Sequence, residues 1–458
     1  CCITPGSTEP KRSSRHPSAA GKNIRKHMKR IACLILFVIG AAVCYGQHRV
    51  TLEECQLLAR DNYPVIAQQE LIDQLEEFNI SNARRNWLPK ISLSAMAAYL
   101  SEVPEFPSTL NDLFSQLGVN LAAMPNTLYG TTVQIQQAIW DGGLIKAQTE
   151  AAKAESEVSR RSWESEMYAL TERVNQLYFG SLLLQENIAT ADLMIEDLQR
   201  NYKMLESMAA FGTAEKNDLD MLKVEILGAQ QQRAQLASTR TAYIAMLSIM
   251  TGLELTAATE LEKPAPDGIP AGDGSRRPEF ALLDAQAGLL DAQRRAVRAS
   301  VMPQIGAFVL GAYSNPSPNI FNSMMGDGKW SPYLFAGISL KWNIDGFYTK
   351  KNRMSQIELN RKRLETQRET LLYNIRLQST QERAAIEQME EVMRYDDEII
   401  RLRSTIRKRT EAQVTNGEGS VNDLLRDINA EDRARRNRTA HEVEWLKNIY
   451  DLKYTINQ

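Results

Sequence analysis

Residues 129–143 read YGTTVQIQQAIWDGG and residues 333–347 read YLFAGISLKWNIDGF. In the first, Tyr129, Thr131, Val133, Ile135 and Ile139 alternate with Thr132, Gln134 and Gln136. In the second, Leu334, Ala336, Ile338, Leu340, Trp342 and Ile344 alternate with Ser339, Lys341 and Asn343. A period of two with one apolar and one polar face describes a strand between lipid and water. Each segment closes on Asp-Gly, and a proline-free tract follows. No proline stands between Pro125 and Pro264, and none after Pro332. Proline inside a helix costs about 3 kcal/mol or more, so tracts of this length favour uninterrupted helix. From Lys146 to Ala210 such a helix would run roughly 100 Å at ~1.5 Å per residue. A compact domain has no use for that length, whereas a tube spanning a periplasm does.

The two segments are landmarks of a duplication. Asn62-Tyr63-Pro64 corresponds to Arg276-Arg277-Pro278, and Trp87-Leu88-Pro89-Lys90-Ile91 to Val301-Met302-Pro303-Gln304-Ile305. Trp140-Asp141-Gly142 corresponds to Ile344-Asp345-Gly346. Gly212 with Asn217-Asp218-Leu219 corresponds to Gly417 with Asn422-Asp423-Leu424. The order is kept and the spacing changes once, between Pro89 and Asp141, so one loop is longer in the first copy. Each copy reads as a helix, two strands, and two long helices joined by a Gly-marked turn. The expected division is a first repeat over 47–253, a linker over 254–275 and a second repeat over 276–458.

The expected strands lie at 91–101, 129–140, 303–313 and 333–344. Each is near the ~9–11 residues that cross a bilayer as a tilted strand. Strands one and three are rich in Ala and Gly and alternate poorly. Trp87, Tyr99, Tyr129, Trp140, Tyr313, Trp330, Tyr333 and Trp342 sit near strand ends, where interfacial aromatic girdles belong. Segments 101–128 and 314–332, with Pro104, Pro107, Pro125, Pro316, Pro318 and Pro332, are expected as outward-facing loops. Four strands cannot close around a bore, and open edges are intolerable in lipid. Several chains must then share one barrel.

The first long helix carries Leu170, Val174, Leu177, Ser181, Leu184, Ile188, Ala191, Ile195, Leu198, Tyr202, Leu205 and Ala209 in steps of four and three. That 3.5-residue period predicts coiled-coil packing. The return helix repeats it through Leu219, Leu222, Ile226, Ala229, Leu236, Tyr243, Leu247 and Met250, interrupted by Arg233 and Arg240. In the second repeat only Ile386-Met389-Met393 and Ile399-Leu402-Ile406 remain of such a stripe.

The N-terminal part reads as an export signal. Met28-Lys29-Arg30 precedes an apolar run from Ile31 to Val43 and then Cys44-Tyr45-Gly46-Gln47. The run fits the ~7–15-residue core of a secretory signal peptide and falls short of the roughly 20 residues of a membrane helix. The expected signal peptide spans 28–46, with 1–27 an upstream non-native or unprocessed segment. A lipid anchor on Cys44 is the rival reading of the same stretch. Residues 1–46 hold eight of the 54 Lys and Arg and one of the 56 Asp and Glu, so removal shifts the net charge from −2 to about −9. Only Cys55 would remain, which rules out a disulfide framework within one mature chain.

These features together resemble the TolC-like outer-membrane efflux family. The resemblance runs from about Thr51 to the end. It rests on Asn62-Tyr63-Pro64, Leu88-Pro89, Trp140-Asp141-Gly142-Gly143 and the two Gly-x5-Asp hairpins, in order and duplicated. It implies a mixed α/β membrane protein with four strands per chain in a trimeric 12-strand barrel. Long antiparallel coiled-coil helices would form a periplasmic α-barrel of twelve helices. It also implies an exit duct for a tripartite efflux pump or a type I secretion system. The partners would be two further copies, a periplasmic adaptor and an inner-membrane pump. A periplasmic coiled-coil protein without a channel is the alternative.

Physical roles follow for the matched positions. Pro89 and Pro303 would stop a helix and begin a strand. Asp141 and Asp345 would accept bonds from the first free N–H groups of the next helix, and Gly142 and Gly346 would allow the sharp turn. The second family glycine is Gly143 in one copy and Phe347 in the other. By resemblance, Phe211-Gly212-Thr213-Ala214 and Asn416-Gly417-Glu418-Gly419 are the tips that dock on the adaptor. Asp218, Asp220, Asp423 and Asp427 would ring the narrow mouth, where repeated carboxylates favour cations. Arg426 stands where a further acidic residue often occurs. Acidic residues at helix starts also favour the helix electrostatically, and both roles are compatible.

Catalytic chemistry has no candidate set. After residue 46 the chain has two histidines, His48 and His441, and one cysteine. There is no His-x-x-x-His pair, CxxC or GxxxxGK[ST], so no metal, nucleotide or other cofactor is expected. The many acidic residues sit among Arg and Lys on presumed helix surfaces, where solvated ion pairs are the default.

Overall fold

Both proline-free tracts fold, as predicted, into a pair of long helices joined by a Gly-marked turn. The computed structural model describes residues 49–103, 107–118, 125–265, 268–317 and 330–458; the expected signal peptide, Pro104 and Pro318 lie outside them. The chain runs α1 (Leu52–Asn62), a 3₁₀ turn (Pro64–Ala67), α2 (Gln68–Arg85), β1 (Lys90–Tyr99), α3 (Ser108–Gln116), β2 (Thr127–Trp140), α4 (Leu144–Ala210) and α5 (Lys216–Thr251). The second copy follows as α6 (Pro278–Ala299), β3 (Gln304–Asn315), β4 (Ser331–Lys341), α7 (Gly346–Thr415) and α8 (Val421–Ile456). The segment between β1 and β2 is not all loop: α3 occupies part of it. Its start follows Pro107, whose fixed φ of −53° suits the residue before a helix. Among the described residues no helix is long and apolar enough to cross a membrane.

The strands of both copies join one antiparallel sheet in the order β1-β2-β3-β4. The register aligns Ile91, Ile135, Val309 and Ala336 across it, and likewise Leu93, Val133, Gly311 and Leu334. That row-by-row alignment gathers the apolar residues on one face. The reverse face carries Ser92, Gln134, Leu310 and Phe335 in one row and Ser94, Thr132, Ala312 and Tyr333 in the next. Strands one and three, unreadable by alternation alone, thus acquire their faces from their neighbours. β4 ends at Lys341, so Trp342 and Ile344 lie beyond the strand, whereas Pro332 lies inside it. Pro332 is tolerated because β4 is an edge strand, where a missing N–H need not break a ladder.

Helix α4 is the spine. It packs along α5, α6, α2 and α8, while α7 packs on α6 and α8. The heptad stripe is gripped as expected: Leu170, Val174, Ser181, Ala191, Ile195, Leu198 and Leu205 are buried. Tyr178, Phe179 and Leu182 are buried outside that stripe because α4 has neighbours on more than one side. The mid-level core joins them to Leu52, Cys55, Ile244, Leu247, Leu446 and Tyr450. Burial pushes the Cys55 thiol up to about 12, leaving it an inert core residue.

The segment between the repeats is fastened to this level. Val50 pairs with Leu261 in a parallel bridge. The Tyr178 hydroxyl donates toward the carbonyls of Val50 (2.8 Å) and Glu262 (2.6 Å). Arg240, which interrupts the α5 stripe, is buried and donates to the carbonyls of Ala257 (2.7 Å) and Thr259 (2.5 Å). A charge in an apolar stripe is thereby explained: its guanidinium ties α5 to the backbone of the inter-repeat segment. Arg233 remains exposed and pairs with Asp192.

Candidate functional site: an amphipathic sheet and two helical tips

The end nearest the sheet is built to meet lipid. No residue of the four strands is buried within the chain. On the apolar face Ile91 is 71% and Leu334 74% exposed. An uncovered apolar face of this extent marks a lipid or partner surface. Trp87, Trp140 and Trp342 stand at the helical end of the sheet. Tyr99, Tyr129, Tyr313 and Trp330 stand at the other, with Tyr313 stacked on Trp330 at 5.2 Å. The eleven residue steps from Tyr129 to Trp140 span ~36 Å along the strand, or ~28 Å across the bilayer at a 40° tilt. That separation fits two girdles around an apolar band ~25 Å tall.

The strand-to-helix turns are unequal in the two copies. Pro89 and Pro303 each stand directly before a strand, as expected. Asp141 caps α4: its carboxylate accepts from the N–H of Gly143 (2.9 Å) and Ile145 (2.6 Å). Gly142 and Gly143 are both left-handed, and a Cβ on Gly142 would lie 2.4 Å from Cβ of Met302. Asp345, in contrast, makes no side-chain cap, and Gly346 is simply the first residue of α7 with no left-handed turn. The expectation of a matching cap and turn is corrected here. Phe347 replaces the second glycine and packs on Trp342, so the chain enters α7 by a helical Asp345 instead of reversing sharply.

At the opposite end the two hairpin tips are near copies of each other. Gly212 and Gly417 are left-handed at φ 74° and 79°. Thr213 N–H donates to Met208 O and Glu418 N–H to Gln413 O, both at 2.9 Å, which is the Schellman closure of a helix end. Phe211 projects from the first tip at 86% exposure, a large aromatic with no packing of its own. Ala214 packs against the core below, while a Cβ at its counterpart Gly419 would come within 2.8 Å of Val414 N. One cluster of Leu205, Leu222, Val414, Val421, Leu424 and Ile428 binds both hairpins into a single unit.

The four predicted mouth carboxylates separate into different environments. Asp218 and Asp423 occupy the same position in the first turns of α5 and α8, near the positive helix ends. Asp220 is exposed on α5. Asp423 pairs with Arg426 at 3.1 Å, so part of its charge is offset locally. Asp427 is buried and accepts from the Thr410 hydroxyl at 2.7 Å, which directs it between α7 and α8.

Two acids deeper in the bundle depart from the expected solvated surface. Glu431 is buried and receives Arg407 Nε and Arg435 Nη2, each at 2.6 Å. Burial alone would raise its pKa, but the Arg435 and Arg407 bonds prevail and hold it below the usual carboxylate range. Its neighbour Asp432, paired with Arg436 at 2.7 Å, goes the other way because burial prevails. Their i,i+4 spacing to Arg435 and Arg436 was visible in the sequence; their burial was not, since it depends on α4 closing over them.

Compared with known protein families, residues 57–253 match the outer membrane efflux protein family. The family resemblance read from the sequence is thus carried by these residues. The matched stretch is the first repeat, from α1 to the end of α5. This protein resides in the outer membrane. Its fold is similar to that of CusC, solved in a study of folding and transmembrane channel formation (13% identity, 88% of this chain and 91% of that one, TM-score 0.67). It is also similar to the CmeC outer membrane channel of Campylobacter jejuni (13%, 88% and 85%, 0.65). The open state of the Neisseria gonorrhoeae MtrE outer membrane channel matches at 16% identity, 88% of each chain and TM-score 0.61. A sequence comparison with curated proteins returns no match.

Proposed function

We propose that this efflux protein is the passive exit duct of a tripartite pump, assembled from three copies and opened at its periplasmic tips by an adaptor. The observation that carries this reading is the sheet. Four strands with one apolar face and two unpaired edges, β1 and β4, are stable in lipid only when closed by other strands. Three copies give a twelve-strand barrel. Beneath it, α4 (67 residues) and α7 (70 residues) extend the duct by roughly 100 Å.

The tips are the proposed docking surface: Phe211, Gly212, Thr213 and Ala214 in one, Asn416, Gly417, Glu418 and Gly419 in the other. Phe211 supplies an apolar anchor, and anchors of that type dominate protein interfaces. Asp218, Asp220 and Asp423 are the proposed cation-favouring ring at the mouth. Asp427, turned toward Thr410, is assigned to holding α7 on α8 instead.

Single-channel recording in planar bilayers tests the reading. The purified protein is expected to conduct as a trimer, and Asp218→Lys with Asp423→Lys to lower cation selectivity or conductance. A soluble periplasmic monomer without conductance would defeat the duct reading; an unchanged selectivity would remove the carboxylate ring alone.

A further inference from the structure

Positive charge on this chain is concentrated just beneath the sheet. The thirteen-residue stretches at the four strand–helix junctions, 78–90, 141–153, 292–304 and 341–353, hold twelve Lys and Arg against three Asp and Glu. The rest of the chain after residue 46 holds 34 against 52, so a belt of +9 stands on a chain that is −18 elsewhere. Ten of the twelve cations are exposed, and Arg294 and Lys350 are half-buried. Among the described residues only Arg295 of the twelve pairs with a carboxylate, that of Glu150 at 2.7 Å. A solvated helix face ordinarily mixes both signs in ion pairs, and this level does not.

The tryptophans set the depth of the belt. A bulge in β2 between Ala138 and Trp140 brings Trp140 into the row of Ile305 and Leu340, on the apolar face. Arg84, Lys146 and Arg298 each stand six residues from a strand end, or ~9 Å below it at ~1.5 Å per residue. A bilayer of ~40–45 Å with a core of ~30 Å leaves ~5–8 Å of headgroup on each side. Side chains lean toward the start of their helix, and α4 starts at the sheet, so Lys146 and Lys153 lean toward that layer.

One groove gives the belt a shape. It encloses about 450 Å³ between the end of α2 and the start of α4, lined by Arg84, Trp87, Ile145, Lys146, Thr149 and Lys153. Two acids line it as well, and both are engaged: Asp141 caps α4, and Glu150 holds Arg295. Its three cations are left without a carboxylate. At 100° per residue Lys146, Thr149 and Lys153 fall within 60° of one another on α4. Leu144 and Gln148, which line a different groove on the polar side of the sheet with Gln136 and Ser339, are at least 100° from them. The groove of Arg84 thus opens on the lipid side.

We propose that this groove binds the phosphate of an anionic phospholipid in the periplasmic leaflet, through Arg84, Lys146 and Lys153, with Trp87 at headgroup depth beside it. The site rests on the reading that the apolar face of the sheet meets lipid. Basic clusters at a membrane edge recognise anionic headgroups, and each cation adds up to about fivefold in affinity within a Debye length of the surface. The remaining cations of the belt extend the same preference around the subunit.

The test uses the full-length protein in phosphatidylcholine vesicles with increasing fractions of phosphatidylglycerol, one lipid at a time carrying brominated chains that quench nearby tryptophan. Comparing the two quenching curves gives the relative affinity of the lipids for the protein surface. The wild type is expected to prefer phosphatidylglycerol several-fold at low salt, and less at about 1 M salt, where the Debye length is ~3 Å. Arg84→Gln with Lys146→Gln and Lys153→Gln should lower that preference at least threefold, whereas Arg84→Lys, which keeps the charge, should retain it. Equal affinities in the wild type, or an unchanged preference in the triple variant, overturn the site. Loss of the preference when inorganic phosphate replaces chloride at equal ionic strength assigns the groove to free phosphate and overturns the lipid. Absence of quenching by either lipid overturns the lipid-facing reading beneath it.

Discussion

Leu93 offers a direct test of which face of the sheet meets lipid. It lies on the apolar face opposite Val133, between the tryptophan and tyrosine ends of the sheet, and is 71% exposed in the single chain. Its neighbour Ser92 sits one step along β1 and so points to the other face. Replacing Leu93 with Arg places a charge near the bilayer midplane, at a cost of about 2–4 kcal/mol per chain. Each ~1.4 kcal/mol is a factor of ten, so the folded fraction in membrane should fall by roughly 30- to 1,000-fold per chain. Ser92→Arg faces the water side and should cost little. The assay is refolding into lipid vesicles across a urea series, with assembled protein read as a heat-sensitive band on gels. Loss of assembly in Leu93→Arg with retention in Ser92→Arg is expected. Equal behaviour of the two variants, or the reverse order, would refute the assignment of faces.

Two further outcomes are expected from the helical part. Tyr178→Phe removes the hydroxyl that bonds the carbonyls of Val50 and Glu262, and should lower stability by about 0.5–1.5 kcal/mol in denaturant titration while the helix content of the native state stays unchanged. Glu431 has a folded pKa below its ordinary value of 4.5, so its contribution is present above that pH and is lost as pH falls through the lowered folded value. Asp432 is raised, so its protonation on acidification from neutrality favours the fold first. Stability is therefore expected to rise slightly and then fall with acid, and Glu431→Gln should flatten the falling limb; pH-dependent thermal melts check this.

How much of this was legible beforehand follows from range. Pro89, Pro303, Gly212 and Gly417 act within a few residues, and each stands where the sequence puts it, at a strand start or a helix end. The heptad of α4 was legible because one helix face keeps one partner for many turns. The fragments Ile399-Leu402-Ile406 misled: they look like the inward stripe of a coiled coil, yet they are exposed on the single chain. Periodicity reports that a face is apolar, not which neighbour covers it. Strands one and three were placed, but their faces could not be read because Ala and Gly carry little contrast, and only the register against β2 assigned their sides. The burial of Glu431 and Asp432 depends on helices remote in sequence, which no local pattern reports.

The unequal strand–helix turns bear on how the two copies can serve one duct. Asp141 fixes the first peptides of α4 through two bonds, and α4 then lies among α2, α5, α6 and α8. Helix α7 starts without such a cap and, above its tip, is supported inside the chain chiefly by α6 and α8, so much of its proximal surface is exposed. A helix of 70 residues held along one side has its remaining packing to gain from outside the chain. The two similar hairpins thus differ in duty: the first is the spine of the subunit, and the second, with Phe347 in place of a second glycine and no side-chain cap at its start, is its exposed edge.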